Sequence, residues 1–257
     1  MPVLLVREDT DDRVEICSGT RAATESDFRP GSLVPKGDWR LITRSEVSAV
    51  SDRYSSGRPL LGNIALIRVL DDVFQSEQHN RGPMANRRAE LRILDDVCKR
   101  LAGGALLENK GCWLSTGGGG SLSTTVDRRD GLRIGLHVDR WERRSLDTLS
   151  DARNRVCLNL GPNRRYFVFL PNDLREIADI YDLGFEDTFT TSHAKVFLRD
   201  HPDIPVFRLR LEPGEAYIAP TESLIHDGQA FSTAGEWVST IFGRFANSEE
   251  VMCLSVV

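Results

Sequence analysis

The sequence of 257 residues lacks the features that define several common protein classes. It contains no apolar run of the roughly 18 residues that would suggest a membrane-spanning helix. Its N-terminal apolar stretch, Val3–Val6, ends at Arg7 and lacks the basic start and long apolar core of a secretory signal. We therefore expect a cytoplasmic protein without a membrane partner.

Cysteine and lysine are both scarce. The five cysteines form no C-x-x-C pair, so we expect reduced, mostly buried thiols and no structural zinc site. Only four of the 33 basic residues are lysines, and the formal net charge is −5. Because no overall positive field attracts nucleic acid, we expect no nucleic-acid partner. The sequence does not indicate the oligomeric state.

The motifs of several large enzyme classes are also missing. The glycine run 117–120 is not followed by the Lys-Ser/Thr of a phosphate-binding loop, and we interpret it as a turn or an active-site lid. No Gly-x-Gly-x-x-Gly opens a helix, and no Gly-x-Ser-x-Gly elbow is present. These absences disfavour a nucleotide-binding enzyme and a serine hydrolase.

The pattern of apolar residues changes near residue 112. Before it, helical spacing marks 45–55 and, more clearly, 85–102, whereas alternation with a period of two dominates afterwards. One short helix is predicted at Asp173–Tyr181. Later strands are predicted at Tyr166–Leu170, Val206–Leu211, Ala216–Ala219, Leu224–Gly228 and Trp237–Phe245.

Helices first and short strands afterwards predict an α+β protein with a β-sandwich or barrel core. We expect one domain over 1–257. Residues 1–111 would form an N-terminal cap with supporting helices, residues 112–246 the β core, and residues 247–257 a C-terminal tail.

Residues 132–139 carry the most informative local pattern. Their alternation predicts a strand on which His137 and Asp139 share one face, while Leu136 and Val138 pack on the other. A His and an Asp that point into a β core are unfavourable unless something satisfies them. A divalent metal would do so, and one more histidine would complete the triad typical of non-haem iron(II) oxygenases.

His226, in the predicted strand 224–228, is the best candidate for the third ligand. A second His-x-Asp, at His201 and Asp203, contains a proline and is predicted to form a turn, so it is the weaker alternative. The remaining alternative is that His137 is a core histidine that binds no metal.

Arg244 lies on the predicted strand Trp237–Phe245 and shares a face with Val238, Thr240 and Phe242. The planar guanidinium suits a carboxylate held by two hydrogen bonds. The alternative is a surface ion pair at the end of the strand.

Taken in order, His137, Asp139, His226 and Arg244 resemble the iron(II)/2-oxoglutarate-dependent oxygenases of the phytanoyl-CoA-dioxygenase-like kind. The resemblance covers about residues 112–246. It implies a double-stranded β-helix (a jelly-roll, cupin-like core), iron(II) on the two histidines and Asp139, and 2-oxoglutarate and O2 as co-substrates.

In this family an arginine beyond the distal histidine binds the far carboxylate of 2-oxoglutarate, and Arg244 takes that position. The chain departs from the pattern of many members because the gap after His226 is longer and Ala246 replaces the later Ser or Thr. Arg155 and Arg165 are therefore alternative clamps.

Because the chain has little beyond the β core and its cap with which to dock a macromolecule, we expect a small-molecule substrate, such as a free amino acid or a natural-product intermediate. The resemblance implies that this substrate is hydroxylated at an unactivated C–H bond. The family's halogenases carry Gly or Ala where Asp139 stands, so its carboxylate favours hydroxylation. We expect Asn159 to bind a co-substrate oxygen. Arg155, Trp141 and Glu142 are expected to contact substrate, and no catalytic residue is expected beyond the metal ligands.

Two other functions remain open at the level of sequence. One is a cupin-type metal dioxygenase or isomerase that does not use 2-oxoglutarate. The other is a non-catalytic jelly-roll binding protein, in which His137, Asp139 and His226 do not converge.

Overall fold

The computed structural model describes residues 4–5, 13–43, 45–46, 64–68, 106–117, 122–127, 129–152, 154–159, 163–231 and 236–245. The predicted helix 85–102 and His79 lie outside these residues, and only 45–46 of the predicted helix 45–55 are included. The strands are β1 (Leu4–Leu5), β2 (Val14–Cys17), β3 (Thr20–Ala22), β4 (Leu33–Pro35), β5 (Arg40–Leu41), β6 (Ile64–Arg68), β7 (Leu106–Gly117), β8 (Asn154–Asn159), β9 (Arg165–Phe169), β10 (Val206–Leu211), β11 (Glu215–Ala219), β12 (His226–Ala230) and β13 (Glu236–Phe245). The helices are α1 (Leu174–Ile180), α2 (Thr191–Asp200) and a 3-10 turn at Leu149–Asp151.

Two sheets dominate the described part of the chain. The six-stranded sheet has the order β1-β6-β11-β8-β13-β7, and the five-stranded sheet has the order β12-β9-β10-β2-β5. A further small sheet pairs β3 with β4. All pairs are antiparallel except β1 with β6. The described part of the chain is therefore mostly antiparallel β-structure with few helices, which is compatible with an α+β protein that has a β-sandwich core.

Alternation along β9 creates two separate apolar layers. Phe167 and Phe169 join a core cluster with Tyr217 and Ala219 of β11, so this cluster lies between the two sheets. The rings of Phe167 and Tyr217 stack across the gap with centroids 4.1 Å apart. Val168 points the other way, into a second cluster that contains the buried residues of both helices. Successive residues of one strand thus fill opposite faces of the sheet.

The two helices cover the outer face of the five-stranded sheet. Helix α1 begins at a cap in which the Asp173 carboxylate accepts a hydrogen bond from the Arg175 amide at 2.8 Å. Helix α2 begins at a capping box formed by Thr190 and His193. Both helices bury one apolar face, with Leu174, Ile177, Ala178, Ala194, Phe197 and Leu198 in the cluster beneath them.

None of the helices in the described ranges has the length and apolarity to cross a bilayer.

The five strands predicted from residue 166 onwards are confirmed, although β12 begins and ends two residues later than predicted. Predicted strand Val206–Leu211 matches β10, and the ends of β9, β11 and β13 differ from the prediction by one residue. The predicted helix Asp173–Tyr181 corresponds to α1 with its two caps. Helix α2 was not predicted, although Thr190 and His193 at capping distance were a usable signal.

Residues before 112, which were expected to form a cap and supporting helices, also contribute strands to both main sheets. Strands β2 and β5 belong to the five-stranded sheet, and β1 and β6 belong to the six-stranded sheet, so residues before 112 contribute to the core. Short strands close to Gly and Pro carry little periodicity, which is why this segment resembled an irregular cap.

The predicted continuous strand over 132–139 is wrong. With the residues that the structure describes, this segment makes only isolated bridges, from Arg133 to Phe28 and Val126 and from His137 to His226. Gly135 interrupts it with a φ of 68°, in the region that favours glycine. A Cβ at this position would lie 2.4 Å from the backbone oxygen of Leu33 in β4, so only glycine fits.

Candidate metal centre

The structure brings His137, Asp139 and His226 together, as the sequence predicted. One ligand atom from each residue lies within 4.8 Å of the others. The Asp139 carboxylate bridges the pair, with Oδ1 3.7 Å from Nε2 of His137 and Oδ2 3.6 Å from Nε2 of His226. All three side chains are buried. Two imidazoles and one carboxylate therefore face one small volume inside the protein.

Backbone pairing fixes the two histidines opposite each other. The amide of His137 donates to the carbonyl of His226 at 3.0 Å, and the amide of His226 donates back at 2.8 Å. Their ring centroids are 4.6 Å apart. The amide of Asp139 donates to the carbonyl of Thr221 at 3.2 Å. This bond holds Asp139 beside the segment that leads into His226.

Each imidazole is oriented through its second nitrogen. Nδ1 of His137 lies 2.8 Å from the carbonyl oxygen of Gly135, and Nδ1 of His226 lies 3.0 Å from that of Leu224. A carbonyl only accepts hydrogen bonds, so each Nδ1 carries the proton and each Nε2 presents a lone pair. Both Nε2 atoms are buried and have no hydrogen-bond partner among the described residues. Buried polar atoms without a partner are unfavourable, and a metal ion would satisfy both.

Electrostatics favours the ligand-competent charge state at Asp139 and His226, but not at His137. Burial opposes ionisation of Asp139, but Arg155 and the two imidazoles outweigh it and hold the pKa of this carboxyl far below its usual range. Burial lowers the pKa of His226 to about 3, so this imidazole is neutral at neutral pH. For His137 burial is outweighed by Asp139 and Asp227, which raise the pKa of the imidazole.

Arg155 contacts the metal-ligand cluster directly. Its Nη2 atom lies 3.1 Å from Oδ2 of Asp139 in an ion pair. Its guanidinium also lies over the ring of Trp141, 5.9 Å from the centroid, within the range of a cation–π contact. Trp141 itself is 57% exposed. Arg155 thus connects the buried cluster to an exposed aromatic side chain.

Glu142 lies beside the loop that supports Asp139. Its backbone amide donates to the Glu222 carboxylate at 3.2 Å, and its own carboxylate pairs with Arg144 at 2.7 Å. Substrate contact by Glu142 and Trp141 stays a prediction.

Asn159 occupies the other end of β8 from Arg155. The two positions are four residues apart, about 13 Å along an extended strand. The side-chain amide of Asn159 donates to the carbonyl of Asn163 at 2.8 Å and to that of Leu211 at 3.4 Å. These contacts close the turn after β8 and give no support to the predicted role in binding a co-substrate oxygen.

Arg244 lies near the end of β13, where its backbone is opposite Glu108 of β7. Two residues earlier in β13, Phe242 is opposite Arg155 of β8. The register therefore places Arg244 two residues beyond the position in β13 that is opposite Arg155. Its role as a carboxylate clamp stays a prediction.

Arg165 begins β9 and is buried. It has the same parity along the strand as Phe167 and Phe169, which lie between the sheets. The alternating pattern thus places Arg165 on the face of β9 that faces the six-stranded sheet.

The competing pair His201 and Asp203 does not form a site. Both residues are exposed, in a turn after α2, as predicted from the proline between them. Asp203 pairs with Lys36 at 2.6 Å. Among the described residues, the cluster of His137, Asp139 and His226 is the one group that could hold a metal ion.

Aromatic residues that the sequence analysis did not select lie around the cluster. The ring of Phe167 is 5.8 Å from that of His226, and Tyr217 stacks on Phe167. Their strand positions alternate like those of any core residue, so no sequence pattern indicates their location beside the ligands. No protein-family model matches this chain, and no curated protein is significantly similar to it.

Proposed function

We propose that the protein is an iron(II)- and 2-oxoglutarate-dependent oxygenase that hydroxylates an unactivated C–H bond of a small molecule. The carrying observation is the cluster of three buried ligand groups within 4.8 Å, two of them imidazoles with unpartnered Nε2 atoms. Two histidines and one carboxylate on one side of a metal leave positions open, as in non-haem iron(II) oxygenases.

The strand order supports a jelly-roll core. Going along the chain, β7, β8, β11 and β13 belong to the six-stranded sheet, where they are neighbours in the order β11-β8-β13-β7. The segment around His137, β12, β9 and β10 are neighbours in the same way on the other sheet. Two four-stranded layers with this alternation are the arrangement of a jelly roll.

In this proposal His137, Asp139 and His226 hold the iron. When bound together, iron(II), 2-oxoglutarate and O2 would supply the oxidising power that breaks the C–H bond. The chain's own residues orient the metal ligands and exclude water. Carbonyls of Gly135 and Leu224 fix the imidazoles, and the stacked rings of Phe167 and Tyr217 keep water from the inner side.

The far carboxylate of 2-oxoglutarate needs a cation inside the sandwich. We propose Arg244 for this role, with Arg165 as the alternative. Arg165 is favoured by its burial on the inner face of β9, and Arg244 is favoured by the family pattern. Replacing each arginine by Gln distinguishes the two candidates. Only loss of the residue that binds the far carboxylate should raise the concentration of 2-oxoglutarate needed for half-maximal turnover.

Trp141 and Arg155 support a small anionic substrate. An exposed indole beside a guanidinium offers a flat apolar surface and a positive charge at the border of the cluster. A free amino acid or a biosynthetic intermediate with a carboxylate has complementary chemistry.

Anaerobic addition of iron(II) and 2-oxoglutarate tests the proposal. We expect weak visible charge-transfer absorption and, after air is admitted, release of succinate in the presence of a substrate found by screening amino acids and related acids. Variants H137A and D139A should lose both signals, while H201A, which removes an exposed histidine, should keep them. Binding of iron without any 2-oxoglutarate signal would instead favour the cupin-type dioxygenase or isomerase.

A non-catalytic binding protein requires the three ligand residues to lie apart. They converge, which counts against that alternative.

A further inference from the structure

Arg155 places a positive charge beside the carboxylate of the candidate metal centre. Its position in β8 is opposite Ala219 of β11 on one side and Phe242 of β13 on the other, so its strand is internal to the sheet. The side chain is 16% exposed, and Nη2 lies 3.1 Å from Oδ2 of Asp139. The same oxygen faces Nε2 of His226 at 3.6 Å.

The charges of this cluster determine what it can hold. An arginine in a protein is always protonated, and metal-binding imidazoles are neutral. Asp139 and Arg155 therefore cancel before a metal binds. A divalent ion would add two positive charges, of which the buried Asp227 carboxylate near His137 offsets at most one. Such an excess of charge in a buried site is strongly unfavourable. A co-ligand with two negative charges would remove this excess.

We propose that Arg155 couples binding of the divalent metal to binding of a dianionic co-ligand at the same site. This inference rests on the metal centre of the proposed function and identifies Arg155 as a positioning residue. A 2-oxo dicarboxylate has the required charge, whereas a 2-oxo monocarboxylate binds a metal in the same way with one charge fewer. The metal alone then binds weakly, and the metal and the dianion bind tightly together.

A purely structural Arg155 leads to the opposite expectation. If the guanidinium only held Asp139 in place, its removal would weaken binding of the metal under all conditions. If it repels the metal, its removal strengthens binding of the metal alone and reduces the effect of the dianion. The sign of the change therefore separates the two roles.

The test is an anaerobic titration with cobalt(II), followed by visible absorption, alone and with saturating 2-oxoglutarate or pyruvate. We expect 2-oxoglutarate to raise the cobalt affinity of the unmodified protein by about 5- to 150-fold, the usual range of coupling between two binding events. Pyruvate should have a clearly smaller effect. Variant R155Q should bind cobalt alone more tightly than the unmodified protein, with the ratio falling towards one, and R155K should keep most of it.

Arg13 provides the matched control. It pairs with Glu215 at 2.8 Å and is 19% exposed, close to the burial of Arg155, but Glu215 is not a ligand residue. R13Q should keep the coupling. Weaker cobalt binding by R155Q with an unchanged ratio would overturn the inference. If R155Q does not fold, equal effects of pyruvate and 2-oxoglutarate on the unmodified protein would overturn it as well.

Failure of this inference differs from failure of the proposed function. Coupling through Arg155 in a protein that never releases succinate would keep the inference and reject the oxygenase. Succinate release in a protein whose cobalt affinity does not depend on Arg155 would keep the oxygenase and reject the inference.

Discussion

His137 and His226 exchange both of their backbone hydrogen bonds, at 3.0 and 2.8 Å, and thereby form a directly opposed pair. Residues in such a pair point to the same side of a sheet, which brings their side chains together. Asp139, two residues further on, joins them on that side. The metal-ligand cluster is thus a product of strand register.

Loss of one imidazole should abolish metal binding. We expect H226A to bind iron(II) or cobalt(II) at least about 100-fold more weakly, since replacing even an outer partner of a ligand costs 10–100-fold in affinity. Metal content after equilibration and gel filtration measures this. H201A, which removes an exposed histidine, should bind as the unmodified protein does. Equal binding by both variants would exclude His226 as a ligand.

Metal should stabilise the fold by mass action. At a free metal concentration about 100 times the dissociation constant, we expect the free energy of unfolding to rise by about 2.7 kcal/mol. A chelator should reverse the rise in the melting temperature. H226A should show neither change. Stabilisation that persists in this variant would locate the bound metal elsewhere.

Gly135 should tolerate no side chain. G135A forces a non-glycine residue into the left-handed region, which costs roughly 1–2 kcal/mol, and also pushes its Cβ against the Leu33 carbonyl. We expect the free energy of unfolding to fall by more than about 2 kcal/mol. We also expect weaker metal binding, because the Gly135 carbonyl orients His137.

Gly131 is the matched control, measured by the same denaturant titrations. Its φ is 73°, and a Cβ there would meet open space. G131A should therefore lose only the backbone term of roughly 1–2 kcal/mol and keep the metal affinity. Equal losses in the two variants would show that the contact with Leu33 is unimportant.

Helix α2 should contribute to stability through Phe197. Its side chain is 3% exposed in the cluster beneath the helices. Truncation of a buried Phe costs about 3–5 kcal/mol, which denaturant unfolding of F197A would measure. F185A removes a side chain that is 67% exposed and should change stability by less than about 0.5 kcal/mol. A small effect of F197A would mean that α2 does not cover the sheet as described.

The ligand residues could be predicted from sequence, but the path of the chain that carries them could not. The spacing of His137 and Asp139 by two residues was sufficient to place them on one side. The interruption at Gly135 was invisible, because the reason for it is the carbonyl of Leu33, more than a hundred residues away. Local patterns carry no information about such contacts.

The same limit explains the errors in the N-terminal region. Strand β2 pairs with β10, so its partner lies near the other end of the described chain. Four residues with one polar position are too short for a reliable period. By contrast, β10 and β13 are longer and bounded by turn residues, so their ends were predicted closely.

The pairing of Cys17 with Val206 also has a consequence for how the protein is made. During synthesis β2 leaves the ribosome long before β10 exists. The hydrogen-bonding edge of β2 therefore stays unpaired until β10 has been made. Folds dominated by such distant pairings form slowly, and their intermediates expose strand edges that aggregate. Expression at low temperature or with chaperones should therefore increase the soluble yield, and a fragment that begins after β6 should not fold into a metal-binding protein.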